Sequence, residues 1–317
     1  VPLAAAFFDA VGKFFSNIAS VSWGPLLLGM VLFGCDLTLR SRAYFNALRA
    51  AYPDVRISWR RVWGAYVAGT GVNSVLPARG GDVVKLFLTH GSVEGSTYPA
   101  VGATFLVEVI FNSTIAIPVL IFAFTQGVFP KPPDFSKLKA FDLAFLASHP
   151  RFTLFLLTAF AFVILLAFAL LSRRVKLFWA RVRQGLTILR DRRRYFREVW
   201  LVQFAGWLFR GAAFWLLLDA FHIGGSVRNT LLVFGATAVA SIVPFTPGGA
   251  GVQQAFLVTI FGSGAVAYSV GQQIALAAFS LALGFFSIVV IFRFRSFKEV
   301  IRAGRQSRAD AAEAALR

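Results

Sequence analysis

Residues 73–82 read Asn73-Ser74-Val75-Leu76-Pro77-Ala78-Arg79-Gly80-Gly81-Asp82, and they end an apolar run that begins at Val62. A proline, two glycines and a cluster of polar and charged side chains cannot continue a lipid-facing helix. The backbone groups they free would find no water there. The chain must turn back at this point. Composition sets the surroundings of the turn. Of 317 residues, 57% are hydrophobic and only 15% charged, and 36 are phenylalanine. Soluble domains carry about 25% charged residues. The excess excludes an ordinary soluble enzyme, a disordered chain and a coiled coil. Long continuous apolar runs, with no alternation, exclude a β-barrel. The sequence predicts an all-α integral membrane protein, a polytopic helical bundle.

Charge orients the bundle. Lys and Arg number 32 against 14 Asp and Glu, giving a formal charge of +18. Six basic residues fall between Arg40 and Arg61, ten between Arg173 and Arg197, and seven from Arg293 onward. Segments of this kind beside apolar spans follow the positive-inside rule, so the excess implies topology and not nucleic acid. A first span over residues 23–39 leads in to Arg40; with Arg40 and Arg173 both inside, three apolar segments lie between them: residues 62–76, 98–126 and 152–171. Three crossings cannot join two points on the same side. The short, broken segment is the one that fails to cross, which gives a re-entrant hairpin over about residues 62–90.

The same arithmetic applies after Arg197. Spans at 199–221 and 268–292 lead out and back, so residues 229–262 must begin and end outside. Their middle reads Ser241-Ile242-Val243-Pro244-Phe245-Thr246-Pro247-Gly248-Gly249-Ala250-Gly251-Val252. Ser74-Val75-Leu76-Pro77 matches Ser241-Ile242-Val243-Pro244, and a Gly-Gly pair follows each. Two re-entrant broken-helix hairpins in an inverted repeat are therefore expected, and such paired interruptions point to a transporter's binding site. The expected halves are residues 1–172 and 198–292. A basic amphipathic linker helix over 173–197 joins them, with Val175, Phe178, Val182, Leu186 and Leu189 on one face. A basic cytoplasmic tail covers 293–317.

Ionisable groups at membrane depth are functional candidates because their burial is costly. Arg79, Asp82 and Lys85, with Asn73 before them, form the densest cluster. Arg79 is placed at the hairpin tip and Asp82 as the N-cap of the returning half-helix. Amides freed by Pro77, Gly80 and Gly81 beside a guanidinium suit a phosphate. The alternative is an Arg79–Asp82 pair that merely closes the hairpin. Glu108, with Asn112 one turn on, is read as a partner for Arg79, a proton carrier or a structural ion-pair member. Asp36, Arg210 and Asp219 are expected to snorkel from span ends. The second hairpin offers Thr246, Pro247, Gly248, Gly249, Gly251, Gln253 and Gln254, without charge, for ligand contact or for close packing. One cysteine, Cys35, and three scattered histidines give no metal-ligand spacing. No cofactor, metal or catalytic constellation is expected, and so no enzyme.

The stretches Asn73-x3-Pro77-x-Arg79-Gly80-Gly81-Asp82-x2-Lys85 and Pro244-x2-Pro247-Gly248-Gly249-Ala250-Gly251-Val252 resemble the two signatures of the flippase-like, lysylphosphatidylglycerol synthase transmembrane region family. In layout the resemblance runs from about residue 23 to residue 292. The family pattern commonly has Glu then Arg where Asp82 and Lys85 stand, an acid at Gln254, and Glu-Arg where this chain reads Glu108-Val109. The resemblance implies a lipid flippase in a bacterial inner membrane, with anionic or polyprenyl-phosphate lipids as partners. A homo-oligomer or a partnering lipid-modifying enzyme is also compatible. A carrier for a small soluble anion and a non-transporting scaffold are the competing readings.

Overall fold

The computed structural model describes residues 21–76, 80–127, 177–240, 251–262 and 264–294. The expected span at 152–171, the tail beyond 294 and the N-terminal twenty residues lie outside these. Every regular element among the described residues is helical. In chain order they are α1 (Trp23–Ala51), α2 (Trp59–Asn73), α3 (Gly80–His90), α4 (Tyr98–Thr125), α5 (Arg192–Ala220), α6 (Val227–Ala240), α7 (Val252–Phe261) and α8 (Ala265–Val290). A further helical stretch covers residues 177–185. Among the described residues α1, α4, α5 and α8 are long and apolar enough to cross a bilayer. A span needs about 20 apolar residues. The short helices come as two pairs, α2 with α3 and α6 with α7. Each pair stands between two long helices.

The long helices α1 and α5 run antiparallel in extensive contact. The Ser22 amide donates to the Ala220 carbonyl at 3.0 Å, and Asn46 Nδ2 donates to the Glu198 carbonyl at 2.7 Å. Between these ends, Gly29 lies under Ala213 and Leu217, and Gly206 lies under Asp36. Small residues at such points let helix backbones approach where no hydrophobic effect drives association. α2 packs on α8 by the same device. A Cβ on Gly71 would lie 2.5 Å from the Ser280 carbonyl oxygen, and one on Gly64 2.6 Å from Ser287 Oγ.

Packing is reciprocal between the two short pairs. α2 lies against α8, while α6 lies against α4. Thus, among the described residues, the first arm of each short pair rests on the long helix that follows the other short pair. Apolar burial supports both sides. One cluster gathers Leu37, Tyr44, Leu48, Val62 and Tyr66; another gathers Leu217, Leu218, Val233, Leu257 and Tyr268. The outer face of α4 exposes Leu106, Ile110, Ile117, Ile121 and Phe124, as a lipid-facing surface would.

Two sequence expectations are corrected. The first span does not end at residue 39, because α1 continues to Ala51 and carries Arg40 in its interior. The linker is not one helix. Its helical stretch stops at Gly185, a 3₁₀ turn follows at Thr187–Arg190, and Asp191 accepts the Arg194 amide at 2.9 Å to start α5. Packing explains the break. A Cβ on Gly185 would lie 2.1 Å from the Ala100 carbonyl oxygen, and Gln184 Nε2 donates to the Ala51 carbonyl at 3.1 Å. The linker is held against α4 and α1, with Ile188 buried to 1% exposure. α5 itself contains a π turn, Phe196–Trp200.

Candidate functional site

The first short pair is built on glycine. Gly81 of α3 sits against Gly69 of α2, where an added Cβ would fall 2.0 Å from the Gly69 carbonyl oxygen. Asn73 then ties the last turn of α2 to the first turn of α3. Its Oδ1 accepts the Gly81 amide at 2.7 Å and its Nδ2 donates to Asp82 Oδ1 at 2.9 Å. Asn73 thus takes part of the capping task assigned to Asp82. Asp82 lies inside the first turn of α3, where a carboxylate meets the positive end of the helix dipole. Pro77 and Arg79 lie outside the described residues.

Close approach of α2 and α3 brings four helices together around Glu108. Arg40 of α1 is hydrogen-bonded to Glu108 Oε1. Tyr66 Oη of α2 donates to the same oxygen at 2.7 Å, and Lys85 Nζ of α3 lies 3.4 Å from Oε2. Lys85 is 7% exposed. Its ammonium stands 4.0 Å from the Phe105 ring centroid, 4.7 Å from Tyr66 and 4.9 Å from Tyr44. Aromatic faces attract a desolvated cation, so this cage offsets part of the ammonium's burial cost.

A second ion pair continues the string. Asp36, one turn before Arg40 on α1, is 1% exposed. Arg210 of α5 meets its Oδ2 with Nη2 at 2.7 Å and Nε at 2.9 Å. Asp36 Oδ1 has no hydrogen-bond partner among the described residues. Charges therefore alternate from α4 through α1 to α5: Glu108, Arg40, Asp36, Arg210. The snorkelling expected of Asp36 and Arg210 is replaced by mutual pairing in the protein interior. Asp219 has a local task, accepting the Gly225 amide at 2.5 Å.

Arg210→Lys should lower stability by about 1 kcal/mol, because one ammonium cannot reproduce two guanidinium donors. Thermal melting in detergent reads this as a small fall in Tm; an unchanged Tm would deny the pair its structural role.

The second short pair uses amides in place of charge. Gln253 Nε2 of α7 donates to Thr237 Oγ1 of α6 at 3.1 Å. The Gly251 amide donates to Gln254, whose Nε2 donates to Gln273 of α8. Gly251 has φ +86°, a left-handed conformation that favours glycine at this helix start. Thr246, Pro247, Gly248 and Gly249 lie outside the described residues. Asn112 is exposed, one helical turn beyond Glu108 on α4.

Sequence reasoning grouped Asn73, Asp82 and Lys85, and among its readings of Glu108 was a structural ion pair. It missed Arg40, Tyr66, Tyr44 and Phe105. The available signal was Asp36 and Arg40 on one face of an apolar helix, four residues apart.

Long apolar helices in a bundle, small residues at their crossings and ion pairs buried between them define a polytopic integral membrane protein. The chain belongs to the family described as lysylphosphatidylglycerol synthase TM region, whose match covers residues 3–292. No curated protein and no solved structure matches it.

Proposed function

We propose that this protein moves a phosphate-bearing lipid between the two leaflets of a membrane. The observation that carries the reading is the buried Arg40–Glu108–Lys85 cluster beside the first interrupted helix pair. Charge at that depth is retained where a substrate headgroup uses it. Family membership supports a lipid as the substrate. In this reading α2–α3 and α6–α7 are re-entrant hairpins of an inverted repeat. The antiparallel course of α1 and α5, together with the reciprocal packing of the short pairs, supports that symmetry. A phosphate entering beside Lys85 competes with Glu108 for the two cations. Arg79 and the Gly80 amide complete its donors, and the lipid tails stay in the bilayer. Rocking of one half on the other, along the α1–α5 contact, presents the headgroup to each leaflet in turn. The lipid is moved and not modified, so the protein is not an enzyme in this reading. The basic segments favour a cytoplasmic side for residues 293–317.

Purified protein in liposomes should accelerate leaflet exchange of a labelled anionic lipid, and Arg79→Ala or Lys85→Gln should abolish the acceleration while the protein still melts cooperatively. Exchange equal to protein-free liposomes would overturn the reading. That result would favour a non-transporting scaffold, the second reading, which the internal neutralisation of Glu108 by Arg40 and Lys85 supports.

A further inference from the structure

Where the start of α2, the end of α3 and the end of α8 converge, the fold leaves a cleft of about 650 Å³. This is within the range of small-molecule pockets, about 300–1,000 Å³. No residue of the Glu108 cluster lines it. Its polar wall carries Arg60, Arg61 and Arg293; its apolar wall carries Phe87, Phe292 and Phe294. All three arginines are exposed, and none is ion-paired among the described residues. The start of α2 adds to the positive field. Its N-cap, Ser58, makes no side-chain capping hydrogen bond, and its first turn holds no acidic residue. The Arg61 amide donates to the Ser58 carbonyl at 3.1 Å, and the amides of Trp59 and Arg60 before it are left for an anion.

Arg293 supplies an independent observation. Its φ is +59°, in the left-handed region where glycine is ordinarily found. A glycine there would remove the strain. Strain held at an arginine, beside two other unpaired guanidiniums, marks a side chain kept for what it contacts.

We propose that this cleft binds a phosphate group carried by a lipid. The guanidinium forks and the α2 amides take the phosphate, and the phenylalanine wall takes the first carbons of the tails. The site is separate from the Glu108 cluster and stands whether or not the protein translocates lipid.

The test is equilibrium binding to the purified full chain in detergent, with dioctanoyl phosphatidic acid and, separately, inorganic phosphate as probes. The lipid should bind saturably. The combined change Arg60→Ala, Arg61→Ala and Arg293→Ala should weaken it at least about tenfold, the loss of roughly one charge-assisted hydrogen bond. Arg181→Ala with Arg183→Ala, equally exposed but on the linker, should leave it unchanged. Arg293→Gly guards against misfolding as the cause: Tm should hold or rise while lipid affinity falls. Affinity unchanged in the triple variant or in Arg293→Gly would overturn the proposal. An equal loss in the linker variant would reduce the effect to bulk charge and also overturn it. Inorganic phosphate binding as tightly as the lipid would remove the lipid from the assignment.

Discussion

Glu108→Ala is expected to cost about 3–5 kcal/mol, the effect of removing one partner from a buried ion pair. The size follows from what remains. Arg40 and Lys85 would face each other inside the bundle with only Asp36, already paired with Arg210, as a nearby counter-charge, and Tyr66 Oη would lose its acceptor. Glu108→Gln should cost less, because its amide oxygen still accepts from Arg40 and Tyr66. Adding Lys85→Met to Glu108→Gln should recover part of the loss, since it removes the surplus cation and leaves an apolar stem in the cage of Tyr44, Tyr66 and Phe105. Melting curves of wild type, Glu108→Gln, Lys85→Met and the double variant close a double-mutant cycle, whose coupling should exceed about 1 kcal/mol. Two results would sink this account: Glu108→Ala as stable as wild type, or no recovery in the double variant. The cycle also bears on function. If exchange follows Tm through the series, the cluster is structural; if exchange is lost in the recovered double variant, the cations serve the substrate.

The membrane class of the protein was legible in composition because apolar content acts through sums, and sums survive ignorance of structure. The short first pair was legible for a local reason: a proline, two glycines and several polar or charged side chains crowd into ten residues at the end of an apolar run. Lys85 and Glu108 were legible because a charge inside an apolar run is conspicuous. Arg40 was not. Counting charges beside spans treats every arginine as a boundary marker, and the count has no access to Glu108, 68 residues away in sequence. Reading Arg40 as the membrane edge also cut α1 short. Its last turns carry Arg42, Asn46 and Arg49 yet bury Ala43, Ala47 and Leu48. The linker failed differently. Val182, Leu186 and Leu189 keep a helical spacing across the turn that ends the helix, and the spacing carries no record of the Ala100 carbonyl that stops Gly185.

These residues depend on one geometric condition, the approach of α3 to α2, and Gly81→Ala tests it directly. An added methyl would lie 2.0 Å from the Gly69 carbonyl oxygen, 2.6 Å from the Asn73 amide nitrogen and 2.8 Å from Asn73 Oδ1. Two of these are backbone atoms, which cannot rotate away. α2 cannot retreat either, because Gly64 and Gly71 already hold it against Ser287 and Ser280 of α8. The displacement therefore falls on α3, and Lys85, one turn beyond Gly81, moves with it away from Glu108. Overpacking of this kind costs about 1–3 kcal/mol, and lipid exchange should fall with the loss of the Lys85 contact. Gly80→Ala is the matched control. Its methyl would meet only the Leu76 side chain, at 3.3 Å or more, and alanine favours the helix by up to about 1 kcal/mol. Gly80→Ala should keep or raise Tm where Gly81→Ala lowers it. Equal melting of the two variants would mean that α2 and α3 do not touch at Gly69, and the ion-pair cluster would then lack the contact that brings Lys85 into it.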